Sequence, residues 1–375
     1  MTTSIMKTQA PALSAQLNGT QGSITGWVVV DSLVDGLAMG GVRMTPSVDH
    51  EEVTGLARDM TDKFVLAGLR IGGAKGGIVS DGTNRESTFR TFGRTVKPLL
   101  HGGIHLGIDL GVTPADRAIF FDAAQYDPRY RPGAPDMPID WRTYYEPLID
   151  ATGYGVAVSA LTALETSHGQ SPSRVVVQGF GAVGRAVAQI LEAKGHTVVA
   201  VADIEGTISA DRLPTAELIA ATDIHGRIDR SQLSSTATLS SEPDAWLDID
   251  ADLLILAAQK HALNSGNVNR LRARFVVEGA NLASTYDSRD EAARAGTLLV
   301  PGVIANIGGA GSAALAVTRV VPFDLPGQAR KQWVFDWIAD KVRTNTRDLF
   351  EIAQDSPATA LETLLAQRRS ERDGT

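Results

Sequence analysis

Residues 175–184 read Val-Val-Val-Gln-Gly-Phe-Gly-Ala-Val-Gly, an apolar run that closes on three spaced glycines. Consecutive β-branched residues suit a strand buried on both faces. The glycines then suit a turn that opens a helix. Gly179 permits the tight turn, Gly181 lets a backbone approach a pyrophosphate, and Gly184 lets helix and strand pack closely. Ala182 and Val183 start the helix, whose free N–H groups and positive dipole end favour an anion. Helical spacing runs over Ala182–Lys194, and Thr197–Asp203 reads as a second buried strand. Asp203 lies 24 positions after Gly179, where a carboxylate can take ribose hydroxyls. The expected ligand is therefore a dinucleotide, NAD ahead of NADP on this one carboxylate. The competing reading is a glycine turn that binds no nucleotide.

Further strands are expected at Ala251–Ala257 and Arg274–Val277, so strands alternate with helices. That alternation predicts an α/β fold with a Rossmann-type doubly wound sheet. Upstream, Trp27–Asp31 reads as a strand, and Gly36–Arg43 as a turn into an extended segment. Helices are predicted over Glu51–Leu69, from the spacing of Val53, Leu56, Ala57, Met60, Phe64 and Val65, and over Ser87–Leu100. Gly72–Gly77 reads as a glycine-dense turn. Asp127–Pro147, with Pro128, Pro132, Pro135, Pro138 and Pro147, reads as a loop at a domain boundary. Three divisions result: an N-terminal α/β domain (1–145), the nucleotide-binding domain (146–325) and a helical C-terminal segment (326–375) whose tail, Arg368–Thr375, is expected to fray.

Composition narrows the function classes. A chain of 375 residues is long for one domain and comfortable for two. The net charge of -8 disfavours nucleic-acid or anionic-membrane partners. The absence of cysteine excludes disulfides, thiolate metal sites and a cysteine nucleophile, and no metal site is expected. Met1–Gln16 carries one lysine and no long apolar run, which reads against a signal peptide. No stretch reads as a membrane span, so a cytoplasmic protein with no membrane partner is expected.

The segment Ile71-Gly-Gly-Ala-Lys75-Gly-Gly-Ile78 sets four glycines around one lysine. Such a turn could close its backbone around a small ligand, and a lysine held in a dry site can polarise a carbonyl or position a water. A solvated lysine in a surface turn is the competing reading. The sequence around it resembles the glutamate/leucine/phenylalanine/valine dehydrogenase family over roughly residues 25–320. The likeness runs through Gly36-Leu-Ala-Met-Gly-Gly-Val-Arg43, Met60-Thr-Asp-Lys63, Lys75, Gly107-Ile-Asp109, Ala151-Thr-Gly153, the glycine fingerprint, Val277-Glu-Gly-Ala-Asn281 and Ala305-Asn-Ile-Gly-Gly309.

That resemblance implies roles. Lys63 would pair with the substrate α-carboxylate, with Gly40 and Gly41 beside it. Lys75 would polarise the 2-oxo group and position the hydrolytic water. Asp109 would be the general acid/base. Thr152 and Asn281 would contact the nicotinamide. The reaction implied is oxidation of an L-amino acid to an imine, then hydrolysis to the 2-oxo acid and ammonia, and its reverse. A homo-oligomer is implied, built through the N-terminal domain.

Members that act on glutamate carry a lysine directly before the paired glycines and a serine four positions beyond the Asn-x-Gly-Gly turn. Here those positions are Met39 and Ala313. A buried carboxylate without a partner is costly, so an apolar or aromatic side chain is expected, with Ala310 and Ala313 leaving room for it. Ser312 lies one position from the serine site, where a register shift would restore a polar contact. Glutamate dehydrogenase and a non-catalytic nucleotide-binding relative remain the alternatives. Leu256, Gln259, His261 and Gly302 depart from the family pattern.

Overall fold

The computed structural model describes residues 10–18, 24–131, 133–166, 172–233 and 237–374. Residues 1–9 of the Met1–Gln16 stretch read above, and Thr375, lie outside them. The chain divides into two compact units: residues 1–141 with 314–323, and residues 142–313 with 324–375.

The first unit runs β1 (Leu13–Asn18), β2 (Thr25–Val30), β3 (Ala38–Thr45), α1 (His50–Leu66), β4 (Gly72–Val79), α2 (Arg85–His101), β5 (Ile104–Ile108) and α3 (Pro114–Ala124). Its five-stranded sheet has the order β1-β2-β4-β3-β5. β3 pairs in parallel with β4 and β5, while β1, β2 and β4 pair antiparallel. Alternation along the strands sorts the two faces. Val28, Val30, Ala38, Val42, Ala74 and Ile78 pack with Phe89, Phe92 and Val96 of α2 and Phe120 of α3. Val29 packs instead with Val53 and Ala57 of α1. The sheet therefore has α1 on one face and α2 with α3 on the other.

Gly72–Gly77 is a correction to the sequence reading: it is not a turn but the first six residues of the interior strand β4. Its glycines answer to packing. A Cβ on Gly73 would come within 2.2 Å of Thr61 N and 2.3 Å of Ala57 O, and one on Gly77 within 2.4 Å of Val53 Cγ2. Only glycine at those two positions lets α1 lie so close to the strand.

The second unit begins within a short helix, α4 (Trp141–Tyr145), where the prolines had predicted an unbroken loop. The other prolines lie before it in sequence, and Pro147 follows it in a one-turn 3-10 helix, Glu146–Leu148, at a position where its missing N–H is not needed. There follow α5 (Ala151–Thr166), β6 (Arg174–Gln178), α6 (Ala182–Ala193), β7 (Thr197–Asp203), β8 (Gly206–Ser209), α7 (Thr215–Ala220), β9 (Thr238–Ser240), β10 (Leu253–Leu256), β11 (Phe275–Glu278), α8 (Tyr286–Arg294), β12 (Leu298–Val300), α9 (Gly302–Ala305), α10 (Ile307–Val317), α11 (Gly327–Asp355) and α12 (Ala360–Asp373). The seven-stranded sheet has the order β12-β11-β10-β6-β7-β8-β9. Its first five strands are parallel, with β8 and β9 added antiparallel. This is the doubly wound α/β arrangement expected.

Two further expectations change. Arg368–Asp373 does not fray but ends α12, where Arg368 pairs with Asp348 and bonds Asn345 Oδ1 at 2.9 Å. The run Trp141–Thr166 is long and apolar enough to cross a membrane by composition. Its most apolar 18-residue window is 67% buried, and its α5 portion packs against α6 and α11, the environment of a core helix.

Candidate active site

In the first unit the candidate residues converge on the α1 face of the sheet. Lys75 sits at the middle of β4 beside Val29 of β2. Arg43, on the same face of β3, follows Met39 and Gly41 at the strand period of two. Asp109 leaves the end of β5. Lys75 Nζ lies 2.9 Å from Asp109 Oδ2, and Arg43 Nε donates to the same oxygen at 3.0 Å. Arg43 also donates to Glu52 Oε1 of α1 at 2.7 Å. Lys63, on the last turn of α1, is buried, and its electrostatic neighbours are Asp59, Lys75, Asp109 and Arg43.

Glycines make room for this cluster. A Cβ on Gly41 would meet Ile108 O at 2.6 Å and the Asp109 Cβ at 2.9 Å. One on Gly40 would meet Ala74 O at 1.6 Å. Met39 is buried, 3% exposed, in register with Gly73 and His105.

Burial and charge oppose each other here. Burial alone would push the Asp109 carboxyl up, but Lys75 and Arg43 outweigh it and hold it well below the usual carboxylate range. Burial lowers Lys63 to about 8, with the Asp59 carboxylate opposing and the Lys75 charge adding to the depression. Lys63 therefore titrates near neutral pH, while Asp109 stays ionised. The arrangement is two lysines and a carboxylate that can bind an anion, polarise a carbonyl and move a proton. Arg43 and Glu52 had been assigned no role from the sequence. The available signal was period: Arg43 follows Gly41 by two along a strand.

In the second unit the glycine fingerprint forms the turn between β6 and α6. Gly179 has φ +93°, and its Cβ would meet Ala258 N at 2.5 Å. A Cβ on Gly184 would lie 1.9 Å from Gly179 O. Gly181, the residue before α6, has open space where its Cβ would be, and no side chain caps the helix. Ala182 and Val183 are the first two residues of α6. The cradle therefore fits a pyrophosphate on bare N–H groups.

Thr152 and Asn281 each bond to the segment Asn306–Gly309 at the start of α10. Thr152 Oγ1 accepts from Gly309 N at 3.2 Å. Asn306 Nδ2 donates to Asn281 Oδ1 at 3.2 Å and to Gly279 O at 3.1 Å, while Asn306 Oδ1 is buried with no partner. An orphaned buried acceptor fits an amide donor such as that of a nicotinamide carboxamide. Asp203 is the exception. Its side chain is 2% exposed and held by Arg230, so its oxygens are already engaged.

Ala310 and Ala313 are one turn apart on α10 and partly exposed. Ser312 does not stand in for a binding serine. It is fully buried, and its hydroxyl donates to Gly309 O at 3.0 Å. The departures resolve in part. Leu256 is buried in the sheet core, and its carbonyl accepts from Gly279 and Ala280 at 2.8 Å each. Gly302 N donates to the buried Glu278 at 2.9 Å, and a Cβ there would press on Ala280 O and Asn306 Nδ2 at 3.0 Å. Gln259 and His261 are exposed, and nothing in the structure explains them.

Comparison with known proteins matches residues 148–351 to the family described as "Glutamate/Leucine/Phenylalanine/Valine dehydrogenase" and residues 6–126 to "Glu/Leu/Phe/Val dehydrogenase, dimerisation domain". An NADP-specific glutamate dehydrogenase of Saccharolobus shibatae is 30% identical over 318 residues, 78% of this chain and 71% of that protein. A glutamate dehydrogenase of Thermotoga maritima is 32% identical over 302 residues, 76% of this chain and 70% of that protein. The hetero-hexameric glutamate dehydrogenase of Thermus thermophilus in a Leu-bound form superposes with a TM-score of 0.76 at 27% identity, covering 97% of this chain and 89% of that one. The L-tryptophan dehydrogenase of Nostoc punctiforme shares the fold, with a TM-score of 0.65 at 21% identity and 98% and 97% coverage.

Proposed function

This chain belongs to the glutamate/leucine/phenylalanine/valine dehydrogenase family, and from that premise we propose that it interconverts an L-amino acid of apolar or aromatic side chain with its 2-oxo acid and ammonia. The observation that carries the amino-acid chemistry is the Lys75–Asp109–Arg43 cluster with Lys63 beside it. The observation that favours an apolar side chain is Met39, buried where glutamate-binding members carry a lysine, together with a Ser312 hydroxyl spent on its own helix.

Lys63 binds the α-carboxylate while it is protonated. Lys75 donates to the 2-oxo or carbinolamine oxygen and so leaves Asp109. A carboxylate held by two cations is a weak base. Losing one of them to the substrate raises its basicity when a proton must be taken from water or the amine. Arg43 stays on Asp109 and, anchored to Glu52, keeps the carboxylate aimed. Gly179, Gly181 and the start of α6 would hold NAD(P), which would supply the hydride acceptor for oxidation at the substrate Cα. Ala310 and Ala313 present small side chains, which leaves space for a bulky substrate group. A homo-oligomer formed through the first unit belongs to the same reading, supported by the match to a dimerisation domain.

A second reading, glutamate as substrate, is favoured by the names of the relatives compared above. NAD- and NADP-linked oxidation across the proteinogenic amino acids, with Lys75→Ala as control, separates the two. Turnover of leucine, valine, phenylalanine or tryptophan that vanishes in the variant supports the first. Turnover of glutamate alone establishes the second. Turnover of no amino acid would overturn both.

A further inference from the structure

At the end of β7 the Asp203 carboxylate is enclosed by its own chain. Arg230 grips both oxygens through its two terminal nitrogens. The backbone N–H groups of Glu205 and Ile228 donate to Oδ1 at 2.8 Å and Oδ2 at 2.7 Å. An ionised carboxylate has about four acceptor positions. Four donors fill them, so a ribose diol, which would donate two O–H groups, finds no lone pair left.

The guanidinium is fixed as well. It donates to Ile228 O at 2.7 Å and Gly206 O at 3.4 Å, and lies 3.5 Å from Glu205 Oε2. Arg227, more exposed, pairs with the other oxygen of Glu205. Two carboxylates and two guanidiniums thus balance, and the usual repulsion between the strand-end carboxylate and a phosphate is cancelled.

The loop that carries these arginines is docked on the fingerprint. Thr222 and Ile228 form a bridge, and Asp223 Oδ1 accepts from His225 N at 2.8 Å and Arg227 N at 3.0 Å. Gly226, at φ +87°, lies so near that a Cβ would come within 2.9 Å of Gly181 N. Arg230 therefore stands beside the path that the adenosine end of a dinucleotide must follow from Gly181 towards Asp203.

We propose that Arg230 sets the discrimination between the two nicotinamide dinucleotides, by masking Asp203 against an unesterified ribose and offering its guanidinium to a 2′-phosphate. The inference rests on the dinucleotide reading of this unit and makes it specific: the 2′-phosphorylated form is the preferred ligand, against the preference for NAD that Asp203 suggests in the sequence. A phosphate repays the guanidinium directly for what it gives up, through charge-assisted bonds in a fork geometry. A diol must expel Arg230 first and gains only neutral donors.

The test is equilibrium binding of 5′-AMP, adenosine 2′,5′-bisphosphate, NADH and NADPH to the full chain, with no turnover required. The wild type should bind the bisphosphate more tightly than 5′-AMP, and NADPH more tightly than NADH. Arg230→Gln should weaken the phosphorylated ligands at least about tenfold and strengthen the unphosphorylated ones. Arg230→Lys should keep part of the phosphate affinity as a point charge. The double variant Asp203→Asn/Arg230→Gln leaves neither charge buried alone. It should lose the discrimination even if Arg230→Gln does not fold. An unchanged ratio between the two ligand classes in these variants, or a wild-type preference for 5′-AMP and NADH, overturns the proposal. Binding of none of the four ligands overturns the dinucleotide reading, and this inference with it.

Discussion

Lys75 Nζ and Asp109 Oδ2 are 2.9 Å apart, so the residue that would polarise the substrate oxygen is the counter-ion of the residue that would move the proton. The Lys75 charge helps to hold Asp109 ionised, and a substrate that draws Lys75 away would release that hold. Asp109→Asn keeps the shape and removes the proton acceptor. The rate should fall by roughly 10²–10⁴, while the affinity for the 2-oxo acid is kept or improved, because a negative charge has left a site that binds an anion. A rate within a factor of two of wild type would remove Asp109 from the chemistry.

Arg43 acts through Asp109, so its signature is a pH profile. Asp109 is held ionised below the usual carboxylate range by two cations, and activity needs that ionised form, so the acid limb of kcat/KM lies at low pH. Arg43→Gln removes one cation, raises the Asp109 pKa and moves the acid limb to higher pH. It also breaks the 2.7 Å ion pair with Glu52 and should lower stability. The double variant Arg43→Gln/Glu52→Gln should recover much of that stability and keep the shifted limb. A recovered stability with an unmoved limb would make Arg43 purely structural.

Lys63 gives the alkaline limb. Its pKa is lowered to about 8 by burial, and only the protonated form binds a carboxylate. The value of kcat/KM for the 2-oxo acid should therefore fall as pH rises through about 8, approaching tenfold per pH unit. Stability has the opposite sign. The unfolded chain binds this proton more tightly than the folded one between about 8 and 10.5, so this group's contribution to stability rises with pH over that window. Lys63→Met should stabilise the chain at pH 7 by the order of 1–3 kcal/mol and abolish substrate binding. Chemical denaturation across pH reads both.

Met39→Lys tests the substrate reading. A lysine at this buried position without a partner should lower thermal stability. If the side-chain pocket lies at Met39, 2-oxoglutarate should restore stability in the variant more than in wild type, and activity should shift from apolar substrates towards glutamate. A thermal shift with 2-oxoglutarate equal in both proteins would place the pocket elsewhere.

Gly73→Ala tests the packing of β4 on α1. The added methyl would sit 2.2 Å from Thr61 N and 2.3 Å from Ala57 O, both backbone atoms of a helix. Neither can rotate away, so the cost should reach or exceed about 3 kcal/mol. Gly181→Ala, with open space around it, should cost far less stability and act on cofactor affinity. Urea denaturation of the two variants side by side would show whether the contrast holds.

Much was determined locally, because some instructions are carried within a few neighbouring residues. Val175–Gly184 specifies strand, turn and helix through β-branching and glycine spacing, and the structure has that order. Lys63, Lys75 and Asp109 could be picked out because the motifs that carry the family resemblance are short contiguous stretches of chain. Other features were decided only when distant segments met. The glycines of β4 look like a turn in isolation, since glycine disfavours strands, and become intelligible only against the backbone of α1. Arg43 and Glu52 acquire a role because a strand and a helix bring them to Asp109. The availability of Asp203 depends on Arg230, 27 positions further on, and no local rule reports that a carboxylate's acceptors are already filled. Local sequence sets backbone preference and chemical type. Whether a charged group is free, paired or shifted depends on which other groups share its buried volume, and that is fixed only by the tertiary fold.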